Sequence, residues 1–235
     1  MNDRVALVPG GAGNLGRAVT REFLAAGAYV AVPFYKADPH HSFAELRAQY
    51  GERLFTFALD LTTERGAQEC VREVLEWKGR IDAVAHMVGG YFGGVGLVET
   101  PLEEWDRMMD LNLKSAWLVA RAAIPRMAES GGGALVFVSS RAARSERAGQ
   151  AVYAVAKAGV LTLAEAIAEE YREQGIRANV VLPGTVDTED NRRALPDADF
   201  RRWTPPEQIA RVVLFLASGA GAAINGAAVP VYGVS

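Results

Sequence analysis

Seven short apolar runs alternate along the chain with longer amphipathic segments, and this order constrains the fold more than any other feature. The runs are continuous rather than alternating with polar residues, as in strands that are buried on both faces of a parallel sheet. They lie at residues 5–9, 29–34, 54–59, 81–88, 134–140, 176–182 and 227–233. We therefore predict seven β-strands.

The segments between these runs have the spacing of amphipathic helices. Helices are predicted at residues 15–27, 64–77, 101–130, 151–175 and 205–218. Alternating strands and helices imply right-handed crossovers and an α/β fold. We expect a Rossmann-type, doubly wound sheet of seven mostly parallel strands with helices on both faces, whose ligand binds at the carboxyl ends of the strands.

Composition limits the class of protein. Half of the 235 residues are hydrophobic and the formal net charge is −3, which suits one globular domain spanning residues 1–235. No stretch approaches the roughly 18 uninterrupted apolar residues of a membrane span. Asp3 and Arg4 stand where a signal peptide would need apolar residues. We expect a cytoplasmic protein with no membrane partner.

Few residues offer metal, redox or nucleic-acid chemistry. The single cysteine, Cys70, cannot form an internal disulfide, and the three histidines lack the spacing of a zinc site. The arginines are dispersed along the chain, which is unlike the basic patch of a nucleic-acid-binding protein. We therefore expect no metal, no nucleic acid and a small-molecule substrate.

A glycine-rich segment, PGGAGNLGRAV, follows the first predicted strand and opens the first helix. Glycines there allow a tight turn and bring backbone amides close to a pyrophosphate at the positive end of the helix. The alternative is a turn that binds nothing, but its position at the first crossover favours a dinucleotide. The predicted contacts are Gly10, Gly13, Asn14, Leu15 and Gly16.

The segment YAVAK places Tyr153 and Lys157 four residues apart, on one face of a helix. Such pairs are common on helix surfaces, but here Ser140 ends the fifth strand 13 residues before the tyrosine, and Asn112 lies in the preceding long helix. This set, in this order, resembles the catalytic tetrad of the short-chain dehydrogenase/reductase family.

The glycine turn is similar to that family's Thr-Gly-x-x-x-Gly-x-Gly turn, with two departures. Pro9 stands where the family has threonine, and proline removes both the hydroxyl and a backbone donor. Asn14 stands in place of the middle glycine. Asparagine tolerates left-handed backbone conformations better than most residues, so the second change is the milder one.

The resemblance implies an NAD(P)(H)-dependent oxidoreductase that transfers a hydride between the nicotinamide and a carbonyl or alcohol. Tyr153 would be the general acid/base, and Lys157 would favour its phenolate, since a free phenol has a pKa of about 10. The same lysine would hold the nicotinamide ribose. Ser140 would bind the substrate oxygen, and Asn112 would hold a water in the proton relay.

Further matches extend the resemblance along nearly the whole chain. Asp60 and the backbone amide of Leu61 would read the adenine, and Gly89 would make room for the nicotinamide. Each of these segments is otherwise an ordinary turn at a strand end. The residues expected to flank the nicotinamide carboxamide are Pro183, Gly184, Val186 and Thr188.

The end of the second strand, VPFYKADPHH, bears on the choice of cofactor. A carboxylate is expected there if the enzyme binds the ribose 2′-hydroxyl of NAD. Phe34 and Tyr35 occupy these positions instead, and Lys36 follows. Because a lysine can meet a 2′-phosphate, NADP(H) is favoured over NAD(H). Asp38 could still supply a carboxylate, and Lys36 could be a solvated charge.

Two segments depart from the family pattern and bear on the substrate. The family's Asn-Asn-Ala-Gly after the fourth strand is replaced by residues 86–89, followed by Gly90, Tyr91 and Phe92. A short lid at about 188–204 contains Trp203. Both segments resemble quinonoid dihydropteridine reductase. The two aromatics could stack a flat pterin, but the complete tetrad favours an ordinary carbonyl substrate.

Other interpretations stay open. Arg141, beside Ser140, could attract an acidic substrate, or it could be solvated surface or a subunit contact. A protein that binds NADP but has lost catalysis is a rival, although it would not need to keep the tetrad. The family resemblance implies a homotetramer or homodimer built partly from the helices at 101–130 and 151–175.

Overall fold

Seven parallel strands form one sheet in the computed structural model, which describes residues 1–35, 40–145 and 147–234, with residues 40–42 described by their backbone alone. The strands are β1 (Val5–Leu7), β2 (Tyr29–Phe34), β3 (Leu54–Ala58), β4 (Ala83–His86), β5 (Gly133–Val138), β6 (Ile176–Pro183) and β7 (Ala228–Val231). Their order is β3-β2-β1-β4-β5-β6-β7, and every neighbouring pair is parallel. The predicted fold class is confirmed, with no antiparallel strand among the described residues.

Helices cover both faces of the sheet. They are α1 (Asn14–Ala25), α2 (His40–Tyr50), α3 (Glu64–Lys78), α4 (Leu102–Met108), α5 (Ser115–Glu129), α6 (Ala151–Glu170), α7 (Glu189–Ala194) and α8 (Pro206–Ala217). Leu7 and Val84 pack with α3, α5 and α6 on one face. Ala6 and Ala83 pack with α1 and α8 on the other. Burial on both faces explains why the strands read as continuous apolar runs.

Two predicted helices need correction, and two helices were not predicted. The predicted helix at 101–130 is α4 and α5 joined by a π-helical turn, Met109–Lys114. The predicted helix at 151–175 ends at Glu170 as an α-helix, because a 3₁₀ turn and then Gly175, with φ of 73°, break its hydrogen-bond pattern. Helix α2 was not predicted, and the lid contains a short helix, α7.

Helix α6 is the one helix in the described part of the chain whose length and hydropathy would suit a membrane span. Its residues Val160, Ala164 and Ile167 are buried against the sheet. These properties are those of a core helix, and α6 also carries Tyr153 and Lys157.

The sheet brings several of the predicted site residues together at the carboxyl ends of its strands. Strand order reverses between β1 and β4, which is the switch point where ligands bind in open α/β sheets. The glycine turn follows β1, Gly89 follows β4, and Ser140 follows β5. Pro183 is the last residue of β6.

Candidate active site

The backbone around the glycine turn packs so tightly that two of its positions leave no room for a side chain. Gly10 has φ of 76°, and a Cβ built on it would lie 2.6 Å from the backbone nitrogen of Val88. A Cβ on Gly16 would collide with the carbonyl oxygen of Gly10. Helix α1 begins directly after Gly13, with no acidic residue in its first turn. The turn therefore fits an anionic pyrophosphate at a helix amino terminus.

A cavity of about 400 Å³ lies beside this turn, between the ends of β1, β2 and β3. It contains the predicted contacts Gly10, Tyr35, Asp60 and Leu61, and its full lining is Gly10, Ala12, Pro33, Phe34, Tyr35, Leu59, Asp60, Leu61, Thr62, Val88, Arg107, Asp110 and Leu111. The Asp60 carboxylate accepts hydrogen bonds from the backbone nitrogen and the hydroxyl of Thr62, at 2.9 and 2.6 Å. The apolar walls and few polar groups of this cavity suit a nucleoside.

Lys36, the predicted phosphate contact, lies outside the described residues. Leu15 packs against the apolar cluster under α1. Arg107 and Asp110 line the cavity from α4 and the π turn. Sequence reasoning missed both of these residues, because only the folded chain brings the segment after β4 across the glycine turn.

Ser140 follows β5 and lies close enough to Tyr153 for its hydroxyl to lower the pKa of the phenol. The Ser140 hydroxyl also accepts a hydrogen bond from the backbone nitrogen of Ala142, at 3.2 Å. The neighbouring Ser139 is buried, and its hydroxyl donates to the carbonyl oxygen of Lys157 at 2.7 Å. Ser139 thus ties α6 to the strand end, a role that the sequence pattern did not indicate.

Lys157 is buried beside Tyr153, with only 4% of the residue exposed. Its ammonium group donates to the carbonyl oxygen of Val138 at 2.9 Å and lies 5.8 Å from the centre of the Tyr153 ring. Burial lowers the pKa of Lys157 to about 8, because desolvation disfavours the charged form. The group still carries a proton at pH 7.

Tyr153 is held as a neutral phenol in this structure. Burial raises the pKa of Tyr153 and outweighs the hydrogen bond from Ser140, which acts in the opposite direction. Tyr91 contributes to the rise in pKa, and its ring stands edge-on to that of Tyr153, with centroids 5.1 Å apart at 74°. The phenol is therefore protonated at neutral pH.

Asn112 is buried in the π turn and clamps the segment after β4. Its Nδ2 donates to the carbonyl oxygens of Gly90 and Met108, at 3.1 and 3.0 Å, and its Oδ1 accepts from the backbone nitrogen of Gly90 at 3.2 Å. A Cβ on Gly89 would lie 2.7 Å from Asn112 Oδ1 and 3.1 Å from Lys157 Nζ. Gly89 therefore separates these two side chains in a space that admits no methyl group.

The other predicted substrate residues differ in exposure and in contacts, and their contacts bring Tyr91 and Phe92 close to Tyr153. Tyr91 is 61% exposed beside Tyr153. Phe92 packs against a small buried cluster that contains Met108 and Val152, and Tyr153 packs against the same cluster. The guanidinium of Arg141 lies 5.6 Å from the centre of the Tyr232 ring. In the lid, Trp203 packs on Phe200, with ring centroids 4.8 Å apart.

The lid is anchored at its base by backbone contacts. After Gly184, Val186 pairs with Thr204, and the nitrogen of Asp187 donates to the carbonyl oxygen of Thr204 at 2.9 Å. The Thr188 hydroxyl caps α7 by accepting from the nitrogen of Asn191 at 3.2 Å.

The lid also reaches the glycine turn through a contact between side chains. Asn14 Nδ2, on α1, donates to Asp190 Oδ2, on α7, at 2.7 Å. Asn14 is the residue that replaces a family glycine, so this contact depends on a departure from the family pattern. The position of Asp190 was not predictable from its neighbours in sequence.

A larger groove, of about 710 Å³, lies at the opposite end of the sheet, at the amino end of β6. Glu165, Glu169, Arg172 and Arg177 contribute to its lining. It lies far from the strand ends where ligands bind in this architecture. Fold and site geometry therefore fit the class of dinucleotide-binding α/β proteins, with the candidate site at the carboxyl ends of the strands.

Comparison with known proteins narrows that class. A family model described as Enoyl-(Acyl carrier protein) reductase matches residues 10–233. The 2,5-dichloro-2,5-cyclohexadiene-1,4-diol dehydrogenase of Sphingobium indicum is 30% identical, over 98% of this chain and 95% of the relative. The 3-oxoacyl-[acyl-carrier-protein] reductase of Thermotoga maritima is 29% identical, over 99% and 98%.

Structural similarity agrees with these matches. A short-chain type dehydrogenase/reductase from Mycobacterium ulcerans superposes with a TM-score of 0.93 at 28% identity, covering 100% of this chain and 90% of that one. The chain belongs to the short-chain dehydrogenase/reductase family. It is an NAD(P)-dependent oxidoreductase that acts on CH–OH or C=O groups of a small molecule.

Proposed function

We propose that the enzyme reduces a carbonyl group, or oxidises the corresponding alcohol, with Tyr153 as the general acid/base. The observation that carries this proposal is that Ser140 and the buried ammonium of Lys157 both lie beside the Tyr153 phenol. All three groups lie at the carboxyl edge of the sheet. Proton transfer needs such a donor within hydrogen-bond reach of the substrate oxygen.

The nicotinamide cofactor supplies or accepts the hydride when it is bound. The Tyr153 phenol donates its proton to the substrate oxygen in reduction and takes it back in oxidation. The Ser140 hydroxyl donates a hydrogen bond to the same oxygen and stabilises the charge that develops there. The Lys157 ammonium favours the phenolate that forms after the proton leaves.

Asn112 completes the proton relay. Both hydrogens of its Nδ2 are used by Gly90 and Met108, whereas among the described residues its Oδ1 accepts from Gly90 alone. A carbonyl oxygen has two lone pairs, so Oδ1 can accept a further hydrogen bond from a water molecule. That water would replace the proton lost by Tyr153.

For the cofactor, we assign the pyrophosphate to Gly10, Gly13, Asn14, Leu15 and Gly16. The adenosine would lie in the cavity of about 400 Å³, held by Tyr35, Asp60 and Leu61. The residues that would hold the nicotinamide, beside Gly89 and Lys157, are Pro183, Gly184, Val186 and Thr188. The shape of the glycine turn supports the first assignment.

We assign NADP(H) rather than NAD(H) as the preferred cofactor. Strand β2 ends at Phe34 and is followed by Tyr35, neither of which offers a carboxylate for a ribose 2′-hydroxyl, and Lys36 comes next in sequence. A comparison of kcat/KM for NADPH and NADH tests this choice. Lys36→Ala should then lower kcat/KM for NADPH alone. A wild-type preference for NADH would overturn the assignment.

An ordinary ketone or alcohol is the proposed substrate, with Gly90, Tyr91, Phe92, Arg141 and Trp203 forming its surroundings. Reduction of a quinonoid pterin is the second candidate, favoured by the exposed Tyr91 ring beside Tyr153. The complete tetrad supports the carbonyl reaction ahead of it. A role in binding NADP without catalysis gives no reason for the arrangement of Ser140, Tyr153 and Lys157.

The assembly is proposed to be a homotetramer or homodimer in the cytoplasm. Trp117 of α5 and Val155 of α6 are 46% and 49% exposed, and large apolar groups on long helices favour burial between subunits. Light scattering coupled to gel filtration measures the mass. A monomer at micromolar concentration would contradict the proposed assembly.

A panel of candidate substrates tests the proposed reaction. It contains simple diketones, charged oxoacids and a quinonoid dihydropterin, each assayed with NADPH and with NADH. We expect turnover of at least one diketone or oxoacid, and its loss in Tyr153→Phe. Turnover of the pterin alone would favour the second candidate. NADPH binding with turnover of none of them would favour the non-catalytic role.

A further inference from the structure

His86 is a buried polar residue that the proposed reaction does not use. It ends β4 and is 2% exposed. It also occupies a position where the family motif has asparagine. Its Nε2 lies 3.4 Å from the hydroxyl oxygen of Ser115, the first residue of α5. Ser115 is itself fully buried.

The hydrogen-bond capacities of these groups decide the direction of the contact. The Ser115 hydroxyl donates its single proton to the carbonyl oxygen of Leu111, at 2.7 Å. Its oxygen is then left with acceptor capacity only. His86 must therefore be the donor, which requires the tautomer with the proton on Nε2. The result is a chain of hydrogen bonds from β4 through Ser115 to Leu111.

The imidazole is suited to a fixed donor role. Burial lowers the pKa of His86 to about 3, and the charge of Lys157 adds to this fall, against the opposing effect of the backbone at His86 and Ser115. His86 therefore stays neutral at every pH at which the enzyme would work. Its ring lies 6.2 Å from that of Phe137, which limits its orientation.

The chain of hydrogen bonds ends one residue before Asn112. Leu111 and Asn112 lie in the π turn, Met109–Lys114, and such turns are rare because their hydrogen bonds are less favourable than those of an α-helix. Relaxation of this turn to α-helical geometry would rotate Asn112 away from Gly90. A contact that fixes the Leu111 carbonyl oxygen therefore also fixes the direction of the Asn112 side chain.

We propose that His86 is a positioning residue, which acts through Ser115 to hold the π turn and so aims Asn112 at Gly90 and the proton relay. The proposal rests on the function proposed for Asn112 above. His86 itself need not touch substrate or cofactor. It would make proton supply to Tyr153 depend on the residue that this chain has in place of the family asparagine.

Four variants test this proposal, with Asn112→Ala as the reference for a lost relay. His86→Phe keeps a buried ring but removes the donor, Ser115→Ala removes the link, and His86→Gln keeps an N–H group of similar reach. We expect His86→Phe and Ser115→Ala each to lower kcat about 10-fold, as loss of a supporting hydrogen bond does at other sites. The KM for NADPH should stay unchanged, and His86→Gln should retain most of the activity.

Two further comparisons separate positioning from simple packing. The double variant of His86→Phe and Ser115→Ala should lose no more activity than either single one, because both break one chain of contacts. If His86→Phe unfolds, a comparison of kcat between Ser115→Ala and His86→Gln provides the same test. Folded His86→Phe with wild-type kcat would overturn the proposal, as would folded His86→Gln with the activity of His86→Phe.

The reference variant shows which proposal has failed. If Asn112→Ala lowers kcat while His86→Phe and Ser115→Ala do not, the role of His86 is wrong and the proposed relay stands. If Asn112→Ala leaves kcat unchanged, the proposed relay is wrong, and the inference about His86 fails with it.

Discussion

Lys157 carries a buried positive charge with little to offset it. Its ammonium donates to the carbonyl oxygen of Val138, and no carboxylate forms an ion pair with it in the part of the chain that the structure describes. Taking a charge out of water destabilises the fold unless the charge is well paired. In the proposed mechanism this cost has a chemical reason, because Tyr153 would need a nearby cation when its proton leaves.

Replacement of Lys157 by methionine should therefore stabilise the protein and abolish its activity. The pKa of Lys157 in the folded protein is about 8, against 10.5 for an exposed lysine. The destabilisation by the buried charge is fully present below pH 8 and disappears as the pH rises past the pKa of this lysine in the unfolded chain. At pH 7 we expect a gain on the order of 1 to 3 kcal/mol in the free energy of unfolding.

Denaturant unfolding at pH 7 and at pH 10 measures this gain, which should be smaller at the higher pH. Lys114→Met is a matched control, since Lys114 is exposed and pairs with Asp110 on the helix surface. If Lys157→Met were less stable than the wild type at pH 7, the buried charge would not be the destabilising element that we describe.

Individual residues differ in how well the sequence predicts them. Tyr153 and Lys157 are fixed by helix geometry, and Ser140 by the end of a strand, so local patterns are sufficient to place them. The contact between Asn112 and Gly90 joins segments 22 residues apart and depends on a π turn. No periodicity in the sequence signals that turn, which is why the predicted helix at 101–130 is continuous.

At the scale of elements, the lid is attached to the rest of the chain at its base and, separately, at the glycine turn. Its base is paired through Val186 and Thr204, whereas α7 meets the glycine turn through Asn14 and Asp190. Asp190 also binds Arg193 on the same helix. If a dinucleotide binds at the glycine turn as proposed, this contact would lie beside it, and we predict that it slows cofactor release.

Removal of the contact should speed cofactor release. Asn14→Gly restores the family glycine, and Asp190→Ala removes the acceptor. An exposed hydrogen bond of this kind contributes about 0.5 to 1.5 kcal/mol, so each variant should raise the NADPH dissociation rate about 2- to 10-fold. Stopped-flow nucleotide fluorescence gives the rate directly.

The two effects should not add in the double variant, because both remove one bond. Asp199→Ala is the control, since Asp199 is also in the lid but pairs with Arg201. Unchanged rates in both single variants, or fully additive ones, would mean that α7 is not held by this contact.

At the scale of the whole molecule, Asp82 joins the beginning of the chain to the central sheet. Asp82 is 8% exposed, and its carboxylate accepts hydrogen bonds from Arg4, Arg80 and the backbone nitrogen of Val5. Burial alone would raise the pKa of this carboxyl, but the hydrogen bonds from these three partners outweigh it, and the pKa of Asp82 lies below its usual value. The ionised form therefore stabilises the native state.

Stability from Asp82 should be lost in acid. Because the folded pKa is depressed, the contribution is present above the unfolded pKa of about 3.9 and is lost as the pH falls through the folded value. Asp82→Asn should lower the free energy of unfolding by about 1 to 3 kcal/mol at pH 7. Its difference from the wild type should narrow below about pH 4, and urea unfolding across this range measures it.

An unchanged difference between pH 7 and pH 3 would contradict this role of Asp82. Asp106→Asn provides a control, since Asp106 is an acidic residue of α4 and has no ion pair in the described structure.

The overall fold followed from the sequence because parallel strands with both faces buried leave a distinct pattern. Leu7 and Ala6 face opposite layers of helices, and both are apolar. Element ends were harder to predict, since β4 is only Ala83–His86 within a longer apolar run. The apolar residues beyond the strand, Met87 and Val88, pack on opposite faces without extending the ladder.

The central claim is that Tyr153 transfers the proton. The measurement that tests it most directly is the rate of NADPH oxidation in a single turnover, with wild type and Tyr153→Phe, using the best substrate of the panel. We expect the rate to fall at least about 100-fold while the Kd for NADPH changes little. A folded Tyr153→Phe variant whose rate stays within a few-fold of the wild type would contradict the account.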